Sequence, residues 1–276
     1  MRITAWLALA LGRGTARLLL YPACLYYLLF ARAARRASRE YLRRALGRDA
    51  GVADIFRQFH AFAATTLDRV FLLNGRIGRF DVRVHGQETV DCIVAGGQGC
   101  FLLGAHMGSF EIVRALGAHA RGLTVSRLMY EHNGRKLASV FNAINPGLSQ
   151  QIISLGEPDT MLKVEAALAR GEMVGMLADR TIEGDGTLPH AFLGQEAGFP
   201  AGPFRVAAIL RRPVVLMFGL YRGGNRYDIH FERLEGDEAG PREARLRRMQ
   251  AQYVARLEHY CRNAPYNWFN FYDFWR

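Results

Sequence analysis

His106 and Glu111 stand five residues apart in the stretch Gly104-Ala105-His106-Met107-Gly108-Ser109-Phe110-Glu111. An imidazole titrates near neutral pH, so it can take a proton from a hydroxyl and later return it. A carboxylate beside it can hold one ring nitrogen, fix the tautomer and support the imidazolium that forms. On one continuous helix this spacing would set the two side chains about 140° apart. The pair therefore needs His106 in a turn and Glu111 in the first turn of the helix that follows, and Gly104 and Gly108 make such a turn possible. The same residues also read as a histidine that finishes a strand and a charge that suits a helix N-terminus. Ser109 has two readings, helix N-cap and nucleophile, and its neighbours form no nucleophile elbow.

The elements around this stretch are those of an α/β protein. Phe101 to Leu103 is a short apolar run that reads as a buried strand, and Ile112, Val113, Leu116 and His119 continue a helix after it. Val52 to Leu73 repeats apolar residues at helical spacing, Phe80 to His85 alternates as a half-buried strand, and Gln87 to Ala95 is a short helix. Strands follow at Leu123 to Tyr130, which carries Arg127, at Gln151 to Leu155, and at Glu172 to Ala178, which delivers Asp179 and Arg180 to its C-terminal edge. Helices are expected from Arg135-Lys136, from Pro158 to Arg170, from Gly202-Pro203 through Leu210, and from Pro241 to about Arg262. Pro213 to Leu220 is a strongly apolar strand and Tyr227, Ile229 and Phe231 alternate in another. Thr181 to Pro200, rich in glycine and poor in periodicity, reads as a long functional loop. The order predicts a three-layer α/β sandwich around a mostly parallel mixed sheet, with ligands at the C-terminal strand edges.

Residues 1–50 differ from the rest. Thr15 to Ala31 is apolar apart from Arg17 and is interrupted by Pro22, and Arg32, Arg35, Arg36, Arg39, Arg43, Arg44 and Arg48 follow at once. An apolar segment beside a basic cluster suits a helix lying in one leaflet, its arginines on anionic lipid at the cytoplasmic face of the inner membrane. The competing readings are a signal peptide, which lacks a small-x-small cleavage site, and a core helix with a solvated basic face. Residues 51–276 contain no repeat or linker and read as one domain. The net charge of +11 points to an acidic partner, yet the arginines are not interleaved with exposed aromatics as nucleic-acid binding would need. Cys24, Cys92, Cys100 and Cys261 show neither metal-ligand nor close-pair spacing and read as reduced thiols. The chain holds no Walker loop, no Gly-x-Ser-x-Gly elbow and no His-Glu-x-x-His helix, and no resident metal or cofactor is expected.

Several of these pieces, in order, resemble one family. His106-Met-Gly-Ser-Phe-Glu111 is similar to the His-x-x-x-x-Glu motif of the bacterial lipid A biosynthesis acyltransferases, relatives of the glycerolipid acyltransferases. Met161-Leu162 through Gly171-Glu172 to Asp179, Phe192-Leu193-Gly194, Pro200-Ala201-Gly202-Pro203 and Arg212-Pro213-Val214-Val215 resemble later stretches of that family. Asp179-Arg180 departs from its usual Asp-Gln, and the Tyr21-Pro22 and Leu25-Tyr26-Tyr27 region with the arginine run resembles a divergent branch of acyltransferases, which implies an acceptor that need not be lipid A. The resemblance implies that His106 is the general base and Glu111 orients it. It also implies that an acceptor hydroxyl on a lipid or glycolipid attacks a fatty acyl thioester of acyl carrier protein or coenzyme A, with no covalent enzyme intermediate. Arg127 or backbone amides after His106 are then candidates for the oxyanion. Asp179, Arg180 and Ser109 are candidates for shaping the site or binding substrate. Two rivals use the same residues differently: a hydrolase built on His106 and Glu111 with or without a metal, and a non-enzymatic protein that binds anionic lipid through its arginines.

Overall fold

The computed structural model describes residues 9, 12–121, 123–130, 152–181, 186–234 and 240–275; the helix expected from Arg135-Lys136 lies outside them. Seven strands form the main sheet: β1 (Asp81–His85), β2 (Cys100–Gly104), β3 (Val125–Tyr130), β4 (Ile152–Leu155), β5 (Met173–Leu177), β8 (Val214–Tyr221) and β9 (Arg226–Arg233). Their spatial order is β1-β9-β8-β2-β5-β3-β4, and every adjacent pair is parallel except β8 with β9. The antiparallel pair is a hairpin turning at Gly223-Gly224, both with positive φ.

The central strands β2 and β8 are buried along their whole length because both faces are covered, and their residues divide between two cores by the two-residue period of a strand. In β2, Phe101 and Leu103 enter one core while Cys100 and Leu102 enter the other. In β8, Val214, Leu216 and Phe218 share the first core and Val215 and Met217 the second. This is the three-layer arrangement expected from the alternation of strands and helices. The helices are α1 (Leu20–Phe30), α2 (Arg32–Leu46), α3 (Val52–Leu73), α4 (Gln87–Ala95), α5 (Phe110–Arg121), α6 (Thr160–Ala169), α7 (Gly202–Leu210) and α8 (Arg242–Asn263). Three of them, α3, α4 and α7, have the bounds expected from their apolar spacing.

The stretch expected to be a loop between Thr181 and Pro200 contains a two-stranded antiparallel hairpin instead, β6 (Thr187–Phe192) with β7 (Gln195–Pro200). Its turn residues Leu193 and Gly194 have φ of 51° and 83°, the left-handed pair that suits a two-residue hairpin. Pro189, Gly194 and Gly198, which mask the periodicity, fall on its exposed positions, while Phe192 and Phe199 pack edge to face in the core.

Helical residues 12–18 pass through a turn at Leu19 into α1. Pro22 lies in the first turn of α1, where its missing N–H is tolerated. Only Cys24 and Leu28 of α1 are buried; Leu19, Tyr21, Leu25, Tyr26, Tyr27, Leu29 and Phe30 are exposed. Among the described residues no single helix is long and apolar enough to cross a membrane. Gly12–Phe30 and Arg32–Leu46 meet that requirement only together, and they are bent by 94°.

The start of this segment is fastened to the body by a buried ion pair. Arg13 donates from Nε and Nη2 to the two carboxylate oxygens of Asp68 at 2.7 and 2.8 Å, and the Tyr227 hydroxyl donates to the same carboxylate at 2.8 Å. Asp68 is fully buried. Removing one partner of such a pair leaves an uncompensated charge and a donor without an acceptor. Asp68→Ala is therefore expected to cost about 3 kcal/mol of stability, measured by chemical denaturation against wild type.

Candidate active site

β2 and β5 are parallel neighbours, and their register pairs Gly104 with Leu177 at the last rung. Both chains leave the sheet from that rung, and the Ala178 amide donates to the Gly104 carbonyl at 3.0 Å. Two residues further along each chain stand His106 and Asp179. Equal overhangs on adjacent parallel strands thus bring together side chains 73 positions apart in sequence. The site falls at the C-terminal sheet edge, where α/β folds place ligands.

The His106 Nδ1–H donates to Asp179 Oδ1 at 2.8 Å, and the His106 backbone N–H donates to Asp179 Oδ2 at 3.0 Å. The Trp268 indole N–H donates to the same Oδ2 at 2.9 Å. Asp179 is 1% exposed, whereas the His106 side chain is 35% exposed. Burial on its own would raise the Asp179 carboxyl. The charge and hydrogen bond of His106, the charge of Arg180 and the Trp268 N–H outweigh it and bring the group down to about 2. An ionised carboxylate accepts only, so Nδ1 carries the ring proton and Nε2 keeps its lone pair for another proton.

Glu111 lies elsewhere. It is in the first turn of α5 as expected, but its Oε2 accepts from Arg114 Nε at 3.0 Å and from Arg127 Nη2 at 2.9 Å. All three side chains are almost fully buried. The partner of the His106 ring is Asp179, and Glu111 ties the start of α5 to β3. The reason is directional: Glu111 follows the turn on the helix, whereas Asp179 leaves the neighbouring strand beside His106. Arg127, an oxyanion candidate in the sequence, is buried in mid-strand against Glu111 with its guanidinium 5.5 Å from the Phe110 ring centre. Burial foremost, with Arg114 and Arg69 adding to it and Glu111 opposing, lowers it to about 10.

The turn carrying His106 is held by close backbone approach. Gly108 has φ 59°, and a Cβ there would stand 2.0 Å from the Gly219 carbonyl oxygen. A Cβ on Gly219 would stand 2.5 Å from the Ser109 carbonyl oxygen. The Gly108 and Ser109 amides, candidates for an oxyanion site, donate instead to the carbonyls of Asn267 and Gly219, each at 2.8 Å. Ser109 does not cap α5: its hydroxyl is buried with no hydrogen-bond partner among the described residues. Arg180 donates from Nη2 to the Phe269 carbonyl at 2.8 Å and lies 5.6 Å from the Tyr272 ring centre. Trp268 stands in the densely aromatic run Tyr266-Asn267-Trp268-Phe269-Asn270-Phe271-Tyr272-Asp273-Phe274-Trp275, whose composition suits packing on the body or a membrane interface and singles out no one ring, and its contact with Asp179 joins segments 89 positions apart.

Among the described residues the group able to gather around a metal is His85, Asp228 and His230, whose ligand atoms lie within 4.8 Å of one another. It sits on β1 and β9 at the sheet edge and includes neither His106 nor Glu111. Asp228 accepts from Arg222 at 2.7 Å, and the adjoining hollow is lined by Asp81 and Asp228 together with Arg83, Arg222 and Arg226.

The family model described as bacterial lipid A biosynthesis acyltransferase matches residues 47–276. The chain belongs to that family, and so to enzymes that move an acyl group from a donor to a lipid acceptor. No individual curated protein matches it.

Because Asp179 sits below the ordinary carboxylate range of about 3.9, its contribution to stability is complete above that value and is lost as pH falls through about 2. The loss amounts to about 2 kcal/mol. Urea denaturation between pH 5 and pH 2 is expected to show a steeper fall for wild type than for Asp179→Asn.

Proposed function

We propose that the chain transfers a fatty acyl group from a thioester, carried by acyl carrier protein or coenzyme A, to a hydroxyl of a lipid or glycolipid at the cytoplasmic face of the inner membrane. The observation that carries this reading is the 2.8 Å bond from the His106 ring to a buried carboxylate, with the ring itself partly exposed. In the proposed reaction His106 Nε2 removes the proton of the acceptor hydroxyl, and the oxygen attacks the thioester carbonyl carbon. The tetrahedral intermediate collapses by breaking the carbon–sulfur bond. The departing thiolate takes the proton back from the imidazolium, leaving an ester and a free thiol, with no covalent enzyme intermediate and no resident metal or cofactor in the scheme. Asp179 holds the ring in the required tautomer and offsets its charge during the proton's stay.

Two buried polar groups beside this turn keep hydrogen-bonding capacity that a substrate could use. They are the Ser109 hydroxyl and the Asn270 amide, neither paired among the described residues. Leaving such groups unpaired costs on the order of 1–3 kcal/mol each, which bound substrate would recover. The exposed apolar residues of α1 and the arginines of α2 supply the means to rest on an anionic leaflet. The net charge of +11 suits an acidic carrier protein or a phosphate-bearing donor.

The test is mass spectrometry of total lipids and glycolipids from cells lacking the gene, complemented with wild type or His106→Ala. Wild type should restore a species carrying one more acyl group, and the variant, folded and equally abundant, should not. Full restoration by His106→Ala would refute the reading.

A further inference from the structure

The catalytic turn is held from outside by the C-terminal segment. The Phe269 amide donates to the His106 carbonyl at 2.8 Å, the Gly108 amide donates to the Asn267 carbonyl at 2.8 Å, and Met107 and Trp268 form an antiparallel bridge. The segment is itself anchored. Asn267 accepts from the Tyr221 amide at 2.7 Å and donates to its carbonyl at 3.1 Å, and Gln58 donates to the Trp268 carbonyl at 2.6 Å. Trp268 is 1% exposed and meets Tyr41, Phe192 and Phe274 edge to face.

Filling that aromatic pocket requires a ring but not an N–H. The indole N–H nevertheless points at Asp179 Oδ2, 2.9 Å away, leaving Oδ1 to receive the His106 ring. A carboxylate can turn about its own bond, and the backbone N–H of His106 alone is one pivot. A second donor on the same oxygen fixes the plane of the carboxylate. We propose that Trp268 is a positioning residue of the active site, its indole N–H locking Asp179 so that the His106 ring is kept in the Nδ1–H tautomer. The proposal rests on the reading of His106 and Asp179 given above, and it gives Trp268, among the residues of the C-terminal segment, a role in holding the His106 ring.

The experiment compares Trp268→Phe with wild type using the full chain labelled with nitrogen-15 in histidine, the His106 signals being assigned by their loss in His106→Gln. At pH 8 the wild-type ring nitrogens should report the Nδ1–H tautomer alone, and Trp268→Phe should report a mixture. In the complemented cells the same variant should lower the rate of lipid acylation by about tenfold, the worth of one hydrogen bond to a charged group. Trp275→Phe removes an indole N–H that donates to the Phe192 carbonyl at 3.3 Å and should change neither readout. If Trp268→Phe does not fold, benzothienylalanine at position 268 keeps the ring shape without the N–H and gives the same measurement.

A single Nδ1–H tautomer in the folded variant would overturn the proposal, as would an equal change in Trp275→Phe. Acylation that persists in His106→Ala while the tautomer still depends on Trp268 would overturn the acyltransfer reading and leave the positioning role standing.

Discussion

The site depends on one constraint of sheet geometry: two buried parallel strands, β2 and β5, end on the same rung. Strand neighbours lie about 4.8 Å apart, so residues at equal distance beyond that rung meet without any special loop. His106 and Asp179 occupy those positions, and the carboxylate arrives already desolvated by the layers above and below the sheet. A buried carboxylate is costly unless donors surround it, and three donors do: a ring N–H, a backbone N–H and an indole N–H. The energy that keeps Asp179 ionised is the same energy that orients the imidazole.

Other parts of the chain serve that arrangement. Gly108 and Gly219 allow the turn after β2 to lie against β8 at a distance that no side chain would permit. Glu111, joined to Arg114 and Arg127, fastens the helix that begins where the turn ends. Arg180, next to Asp179, binds the Phe269 carbonyl and closes the C-terminal segment over the turn. Residues from the second strand, the fifth strand and the last twelve positions of the chain thus converge on one imidazole.

Much of this was legible in the sequence where periodicity was strong. The apolar spacing of Val52 to Leu73 predicts its helix, and the uniform apolarity of Phe101 to Leu103 marks a buried strand. The hairpin at 187–200 is not legible, because Pro189, Gly194 and Gly198 interrupt its alternation and His190 stands among the inward Leu188, Phe192, Ala197 and Phe199. At the site the sequence singles out His106, Glu111 and Asp179 and expects the first two to pair, whereas His106 bonds to Asp179 and Glu111 to Arg114 and Arg127. Asp179 stood visibly at a strand end, but the choice between Glu111 and Asp179 as partner of His106 turns on register, which no local pattern carries. Trp268 was hidden for a related reason: an aromatic tail advertises burial, and its one polar contact depends on tertiary placement.

The account's central claim is that the carboxylate serving His106 comes from the neighbouring strand and not from the helix that follows. The most direct measurement is single-turnover acyl transfer from a dodecanoyl thioester to extracted lipid by Asp179→Asn and Glu111→Gln, compared at equal folded concentration. Asp179→Asn should lower the rate by about 10³ to 10⁴, the penalty for presenting the wrong tautomer, while folded Glu111→Gln should remain within about tenfold of wild type. A near-normal rate for Asp179→Asn, with the large loss falling on Glu111→Gln, would contradict the account.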